Sequence, residues 1–322
     1  MNKRAAVSAL LLLIAIAGSA RLVSAASAAL PILVPQKVAP DVYLIQGKAG
    51  VASQENRGFN SNAGFVVTRD GVVVIDALGT PTLGEAMVIA IRKITAKPIR
   101  KVIVTHYHAD HFYGLQAFKK AGAEVWAHVA ARNYLDGGEG ATRLGQRRAD
   151  LAPWVNDLTR LVPADVWIEG NRSFTLGGTQ FDIIHLGPAH SPEDVIIVVG
   201  KSGVIFTGDI LFSGRIPFVG EADSKHWLQT FSRLIDLKPQ IMITGHGAPS
   251  RSPAADLALT RDYLLYLRQS MGKAVEGFVS FDEAYARTDW SHFARLPAFE
   301  AANRINAYGT YLLMEKESLS KQ

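Results

Sequence analysis

Short apolar runs alternate with amphipathic stretches along the first half of the chain. Runs of the length of buried strands lie at 42–45, 63–68, 72–76, 102–104 and 124–127. The tripeptide Arg69-Asp70-Gly71 joins two of these runs and predicts a hairpin. The spacing of apolar residues predicts helices over 81–95, 112–121 and 129–135. This alternation of strand and helix is typical of a layered α/β fold.

The second half of the chain returns to strands before it becomes helical. Strand-like runs lie at 166–170, 173–187, 194–209 and 241–244. From Pro253 onward the pattern is mostly helical. Two strand-rich halves with flanking helices predict a four-layer αββα sandwich. We assign residues 29–252 to this sandwich and residues 253–322 to extra C-terminal helices, which pack on its outer face or form a contact between subunits.

Residues 136–165 interrupt the alternation. The segment opens with a glycine-rich stretch and contains Arg143, Arg147, Arg148 and Trp154. A segment of this kind between two regular halves is either a lid over a site or a helical excursion on the surface that has no contact with a ligand. The sequence leaves both interpretations open.

Four side chains that can bind a metal follow the apolar run at 102–104, namely His106, His108, Asp110 and His111. In an extended segment the residues at i and i+2 point the same way, so His106 and His108 face one point. Asp110 and His111 sit around the turn and can face that point from another side. This set of donors suits zinc or a similar divalent ion. The end of a strand that runs into a helix is also where an α/β sheet usually places its chemistry.

Three later segments each present a single residue of the same kind. His190 lies in a loop before an apolar strand, and Asp209 and His246 each follow a predicted strand. A glycine or proline turn stands beside all three. This repeated arrangement makes the three residues candidates for the same kind of metal site as the first four.

The segment THYHADH resembles the HxHxDH signature of the metallo-β-lactamase-fold hydrolases, and the later residues occur in the order that this family predicts. The resemblance implies an αββα sandwich with one or two metals, usually zinc, at one edge of the two sheets. We expect two Zn²⁺ ions, with iron or manganese as alternatives. The expected ligands are, for one ion, His106, His108 and His190, for the other, Asp110, His111 and His246, and, as a bridge between the two, Asp209.

Three residues are candidates for further roles in such a site. Asp110 is expected to be the catalytic residue, because its family counterpart is proposed to orient the attacking hydroxide. Asp76 either supports the metal site from behind, as in the family, or caps a helix or turn. Arg215 either binds a substrate anion or is a structural arginine. The remaining histidines are interpreted as packed or hydrogen-bonded side chains: His128, His185, His226 and His292.

Composition narrows the chemistry. The chain has no cysteine, which excludes thiolate ligands, disulfides and a lipoprotein anchor. A full ligand set with a bridging aspartate resembles the glyoxalase II-type thioester hydrolases. The segments GFVV, GDILF and GRIPF resemble exported zinc metallohydrolases of quinoprotein systems. We therefore expect an exported dinuclear zinc hydrolase that uses a metal-bound hydroxide to cleave a thioester, ester or lactone carbonyl. The alternatives are a metallo-β-lactamase that hydrolyses β-lactams and a non-catalytic or di-iron protein.

The N-terminus has the form of a secretory signal. Lys3 and Arg4 precede an apolar run at 5–20, and small residues suited to a signal peptidase follow it. A membrane anchor is the alternative, but the run is shorter than the ~20 residues that a spanning helix needs. We predict that residues 1–28 are removed, which gives a periplasmic or secreted protein with no stable membrane anchor.

Removal of residues 1–28 also lowers the positive charge from which a nucleic-acid partner could be inferred. The net charge of +5 falls when the basic residues of the signal are lost, so no nucleic-acid partner is expected. The expected partner is a small-molecule substrate, and the oligomeric state is left open.

Overall fold

A seven-stranded sheet is formed by the first part of the chain. The computed structural model describes residues 30–320, so the predicted signal peptide at 1–28 lies outside the described residues. The strands of this sheet, in spatial order, are β1 (Gln36–Ala39), β2 (Val42–Ile45), β3 (Ala63–Thr68), β4 (Gly71–Ile75), β5 (Ile99–Ile103), β6 (Glu124–His128) and β7 (Val166–Ile168). The neighbours from β1 to β4 are antiparallel, and those from β4 to β7 are parallel.

A five-stranded sheet follows in the sequence. Its strands, each paired with the next, are β8 (Arg172–Leu176), β9 (Thr179–His185), β10 (Val195–Val199), β11 (Val204–Phe212) and β12 (Ile241–His246). Only β11 and β12 run parallel among these pairs. The hairpin predicted between β3 and β4 is confirmed, while β1 was not predicted because it lies in a proline-containing lead.

Helices join and cover the sheets. They are α1 (Pro81–Ile94), α2 (Ala109–Phe112), α3 (Leu115–Lys120), α4 (Arg132–Asp136), α5 (Glu139–Asp150), α6 (Ser224–Asp236), α7 (Pro253–Asp256), α8 (Ala258–Glu276), α9 (Phe281–Arg287) and α10 (Phe299–Leu319). Short 3₁₀ turns lie at Val129–Ala131 and Gly200–Ser202. Among the helices of residues 30–320, none combines the length and the apolar character that a membrane crossing requires.

The two sheets pack face to face, and helices cover both outer faces. Val73 of β4 shares the apolar layer between the sheets with Val195 and Ile197 of β10. The alternate residues Val72 and Val74 belong to the layer under α1 and α3. Because both faces of such strands are buried, their sequences read as continuous apolar runs. The predicted four-layer αββα sandwich is confirmed.

The helix predicted over 112–121 is wrong in its start and in its continuity. Two short helices, α2 and α3, take its place, and Asp110 and His111 lie in the first turn of α2. The break follows from a tertiary contact, because the Gly114 N–H donates to the Leu78 carbonyl at 3.1 Å. The HxHxDH segment therefore turns into a helix earlier than its sequence indicates.

The C-terminal helices pack against the outer face of the second sheet. Tyr263, Leu264 and Leu267 of α8 are fully buried and share an apolar cluster with Phe212 of β11 and Trp227 of α6. This packing within the chain agrees with the first of the two predicted placements, and the contact between subunits stays a prediction. The domain boundary at 252/253 stays a prediction.

Candidate metal centre

The predicted ligands converge at one edge of the sandwich. The first sheet supplies the segment from the end of β5 through α2, and the second sheet supplies the β9–β10 loop, β11 and the end of β12. The residues brought together are His106, His108, Asp110 and His111 from the first sheet, and His190, Asp209 and His246 from the second. Each sheet therefore contributes part of the centre.

The sequence predicted Asp209 at the end of a strand. In the structure Asp209 lies inside β11. The pairing of β11 with β12 shifts register around Gly208, whose φ of 51° lies in the left-handed region. A bulge of this kind re-aims the neighbouring side chain. Gly245 of β12 leaves room for the carboxylate, since a Cβ there would lie 1.9 Å from Asp209 Oδ1.

The Asp209 carboxylate occupies the middle of the cluster. Its Oδ1 is 3.2 Å from His111 Nε2. Its Oδ2 is 3.3 Å from His246 Nε2, 3.4 Å from His190 Nε2 and 3.8 Å from His106 Nε2. A carboxylate whose two oxygens lie near four imidazoles is suited to reduce the repulsion between two cations bound there.

Three sets of donor atoms are compact enough to hold an ion, with all atoms of a set within 4.8 Å of one another. The sets are His106, His108 and His190; His106, His111 and Asp209; and Asp110, His111 and His246. The first and third coincide with the two sets implied by the resemblance. The second contains the predicted bridge and shares one histidine with each of the others.

Hydrogen bonds on the far side of the rings orient the imidazoles. His190 Nδ1 lies 3.0 Å from the Phe218 carbonyl oxygen, and His246 Nδ1 lies 2.7 Å from the Asn60 carbonyl oxygen. A carbonyl oxygen can only accept, so each Nδ1 carries the proton. The lone pair of each Nε2 then faces the centre, which is the form a metal ligand must take.

Asp76 stands behind His111. Its Oδ2 is 2.9 Å from His111 Nδ1, and its Oδ1 accepts from the Thr105 N–H at 2.8 Å. The cap of α1 is Thr80, whose hydroxyl oxygen accepts from the Leu83 N–H at 3.1 Å. Of the two roles predicted for Asp76, the helix cap is therefore wrong, and the support behind a predicted ligand is what the contacts provide.

The buried donor atoms fit a divalent metal. Within residues 30–320, His106 Nε2, His111 Nε2 and Asp209 Oδ1 are buried without a hydrogen-bond partner. Leaving such an atom unsatisfied costs about 1–3 kcal/mol, and a cation would satisfy all three. Burial holds the pKa of His106 well below its usual value, so the ring is neutral. Burial acts to raise the pKa of Asp209, but His246 and His111 outweigh it and bring that pKa well below its usual value.

A family model described as the metallo-beta-lactamase superfamily matches residues 56–246, which include every predicted ligand. The chain belongs to this superfamily. Its homologues are hydrolases, and zinc dependence is typical of them. The resemblance expected from the HxHxDH segment is confirmed.

Members of this superfamily with different substrates are similar to the chain. The metallo-beta-lactamase type 2 of Elizabethkingia meningoseptica is 27% identical over 193 residues, which is 58% of this chain and 69% of the relative. A linear primary-alkylsulfatase of Pseudomonas sp. is 21% identical over 234 residues, which is 62% of this chain and 44% of the relative. The solved structure of the sec-alkylsulfatase Pisa1 from Pseudomonas sp. matches with a TM-score of 0.66 and 19% identity, over 88% of this chain and 50% of that one. The chain thus spans about half the length of these alkylsulfatases.

Arg215 is engaged by the backbone. It is 4% exposed, and its guanidinium donates to the carbonyl oxygens of Gly50 and Ile216. These contacts correspond to the structural alternative of the two predicted roles. Arg215 also lines a cavity beside the centre, so it adds positive charge there.

Two asparagines complete the centre and were not singled out in the sequence. Asn60 Nδ2 donates to Asp110 Oδ2 at 2.9 Å, and the backbone carbonyl oxygen of Asn60 faces His246 Nδ1. Asn62 Nδ2 donates to the carbonyl oxygens of Thr244 and Gly247, both at 2.8 Å. The segment before β3, which reads as a polar loop, therefore connects the two sheets at the centre. The sequence signal was the run of amide side chains next to a strand.

Two cavities open beside the donor atoms. The larger has a volume of about 760 Å³ and reaches His108 and His190, and the smaller, of about 260 Å³, reaches both predicted carboxylate ligands. Side chains of α4 and α5 line both cavities: Tyr134, Glu139 and Arg143. Part of the segment 136–165 therefore lines the cavities beside the donor atoms, and its action as a lid stays a prediction.

Helix α10 reaches the centre through a buried asparagine. Asn306 Oδ1 accepts from the Val219 N–H at 2.7 Å, and its Nδ2 donates to the Pro217 carbonyl at 2.8 Å. The Phe218 carbonyl between them is the group that faces His190 Nδ1. The C-terminal part of the sequence shows no chemistry, yet it holds the loop that orients a predicted ligand.

Replacing Asn306 with alanine is expected to destabilise the protein by about 3 kcal/mol, because buried backbone groups of the 217–220 loop lose their partners. Urea unfolding of the metal-free protein measures this effect without any contribution from bound ions. The zinc-loaded variant should also bind zinc more weakly, since His190 loses its fixed orientation. Gln229→Ala, an exposed amide on α6, is the control. Stability equal to that of the wild type would contradict the role assigned to Asn306.

Proposed function

We propose that this chain is a dinuclear zinc hydrolase that cleaves an ester, thioester or lactone carbonyl in a small molecule. The observation that supports the proposal most is the central position of Asp209 between two three-residue donor sets. His106, His108 and His190 would hold one ion, and Asp110, His111 and His246 the other. Two zinc ions there would supply a nucleophile at neutral pH, by lowering the pKa of water to about 7, and would polarise the substrate carbonyl.

Asp110 is suited to handle the proton of this reaction. Burial acts to raise its pKa, but His111 and His246 outweigh it and leave the pKa below its usual value, so the carboxylate is ionised at neutral pH. Asn60 fixes one of its oxygens. Asp110 accepts the proton of the attacking water and delivers it to the leaving group. The water oxygen becomes part of the acid product as the bond to the leaving group breaks, and no covalent enzyme intermediate forms.

The named relatives bring two further substrate classes into the proposal. β-Lactams are a candidate because one similar protein is a metallo-beta-lactamase. Alkyl sulfate esters are a candidate because another is a linear primary-alkylsulfatase. A non-catalytic or di-iron protein is the alternative of a different class. A complete donor set supports catalysis over the non-catalytic alternative, since a decayed centre would be expected to lack one or more ligands.

The test combines metal analysis with substrates. Zinc-saturated protein should contain close to two zinc ions per chain by elemental mass spectrometry, and should turn over at least one member of a panel of thioesters, lactones, esters, alkyl sulfates and β-lactams. In oxygen-18 water, a single turnover of a carbonyl substrate should place the label in the acid product and none in the protein. One zinc at saturation would overturn the dinuclear centre. Two zinc ions without turnover of any panel member would favour the non-catalytic alternative.

Export is part of the proposal. The support is the signal-like pattern of residues 1–28, with basic residues before an apolar run and small residues after it. N-terminal sequencing of the protein from its native cells should begin after Ala25 or Ala28. An intact Met1 on membrane-bound protein would favour the anchor alternative.

A further inference from the structure

Two arginines of α5 face the centre from one side of the helix. Arg143 and Arg147 lie four residues apart, so they share a helical face. Both line the smaller cavity, together with the carboxylates of Asp110 and Asp209, and Arg143 lines the larger cavity as well. A helix that covers the centre thus directs two cations toward it.

The third arginine of α5, Arg148, has a structural role that Arg143 and Arg147 do not share. Arg148 donates to the carbonyl oxygens of Asn156 and Thr159, both at 3.0 Å, and so ties α5 to the following loop. Within residues 30–320, Arg143 and Arg147 form no hydrogen bond or ion pair, with Glu139 or with any other residue, and Arg147 interacts through its charge with Asp110. Their guanidinium groups are therefore available to a ligand.

The charge of the cavity favours an anion. Once two divalent ions compensate Asp110 and Asp209, the ionised side chains left on the wall of the smaller cavity are Glu139 and three arginines. A positively charged cleft with partly apolar walls raises the local concentration of anionic ligands. A guanidinium binds the oxygens of a carboxylate or a sulfate through two parallel hydrogen bonds.

We propose that Arg143 and Arg147 form an anion-binding subsite, which selects small substrates that carry a carboxylate, sulfate or similar oxyanion next to the bond that is cleaved. The substrate's apolar part lies against Ala52, Phe218 and Ala302, which line the same cavity. That the bound anion belongs to a substrate rests on the proposed function. The binding of the anion itself does not depend on turnover.

The experiment measures binding of probes that a hydrolase cannot cleave. Isothermal titration of the zinc-loaded protein with hexane-1-sulfonate, hexanoate and 1-hexanol separates the two oxyanions from an uncharged molecule with the same chain. Arg143→Gln and Arg147→Gln, singly and together, remove the cations. Arg92→Gln makes the same chemical change on the exposed last turn of α1, which lies at the opposite edge of the sheet from the centre. Circular dichroism checks that each variant is folded.

We expect the wild type to bind at least one of the two anions at least about tenfold more tightly than hexanol, and each Arg→Gln change at α5 to weaken that anion about tenfold, the effect of one charge-assisted hydrogen bond. Preference for the sulfonate over the carboxylate, or the reverse, identifies the anionic group. Anion binding that is equal in the double variant and in Arg92→Gln would overturn the subsite, because the metal ions alone would then account for it.

Arginine-dependent binding by a protein that turns over no panel member would overturn the proposed hydrolase and leave the subsite standing. Turnover of neutral substrates only, with no anion binding, would overturn the subsite and leave the proposed hydrolase standing.

Discussion

Asp110→Asn is expected to lower kcat by about a thousandfold or more while the protein stays folded, within the range lost when a general acid–base group is removed. The amide cannot accept the proton of the attacking water. Its oxygen can still accept from Asn60 Nδ2, which lies 2.9 Å from Asp110 Oδ2, so the side chain keeps its position. Steady-state kinetics on the substrate found in the panel measures the loss, and metal analysis of the same sample shows how much zinc is retained.

The matched control for Asp110 is Asp150→Asn, which makes the same change on an exposed residue at the end of α5. It should keep wild-type turnover. If Asp110→Asn turns over substrate at the wild-type rate, Asp110 has no part in the reaction. If the variant loses turnover and zinc together, the role of Asp110 reduces to that of a ligand.

Asp209→Ala is expected to lower the zinc content from two ions per chain toward one and to reduce turnover by more than about a hundredfold, because losing even a hydrogen-bond partner of a metal ligand costs about 10–100-fold. The physical reason is that the Asp209 carboxylate lies 3.2–3.8 Å from the Nε2 atoms of four imidazoles. Without it, two divalent ions a few ångströms apart repel each other with less compensation. Equilibrium dialysis against a zinc chelator, followed by elemental mass spectrometry, measures the content.

Asp236→Ala, on the exposed last turn of α6, is the control for Asp209 because it removes the same charge far from the donor atoms. It should retain the wild-type zinc content. An Asp209→Ala protein with two zinc ions and full turnover would remove Asp209 from the centre.

Local patterns account for the strands and for the candidate ligands. The apolar runs of β4 and β10 are readable because each strand is buried on both faces. The HxHxDH segment is readable because its donors lie within six positions, and each later donor lies within two residues of a glycine or proline. In both cases the information sits in neighbouring residues.

Contacts between distant residues could not be predicted in this way. Asn60 and His246 are 186 positions apart, and Asn306 and Val219 are 87 positions apart, so no local pattern links them. Whether Asp76 caps a helix or supports a metal ligand could be decided only from the position of His111 in space. The break between α2 and α3 depends on the hydrogen bond from the Gly114 N–H to the Leu78 carbonyl, which is likewise a tertiary contact.

The division of the centre between the two sheets bears on how the protein assembles. The first sheet ends at Ile168 before the second begins at Arg172, so the two are consecutive pieces of chain. Neither piece alone contains a complete donor set, because each of the two predicted sets draws on both. Tight metal uptake can therefore follow, but not precede, the docking of the two sheets. Two bound ions would then link the two halves of the chain, and we expect the zinc-loaded protein to unfold more slowly than the metal-free protein.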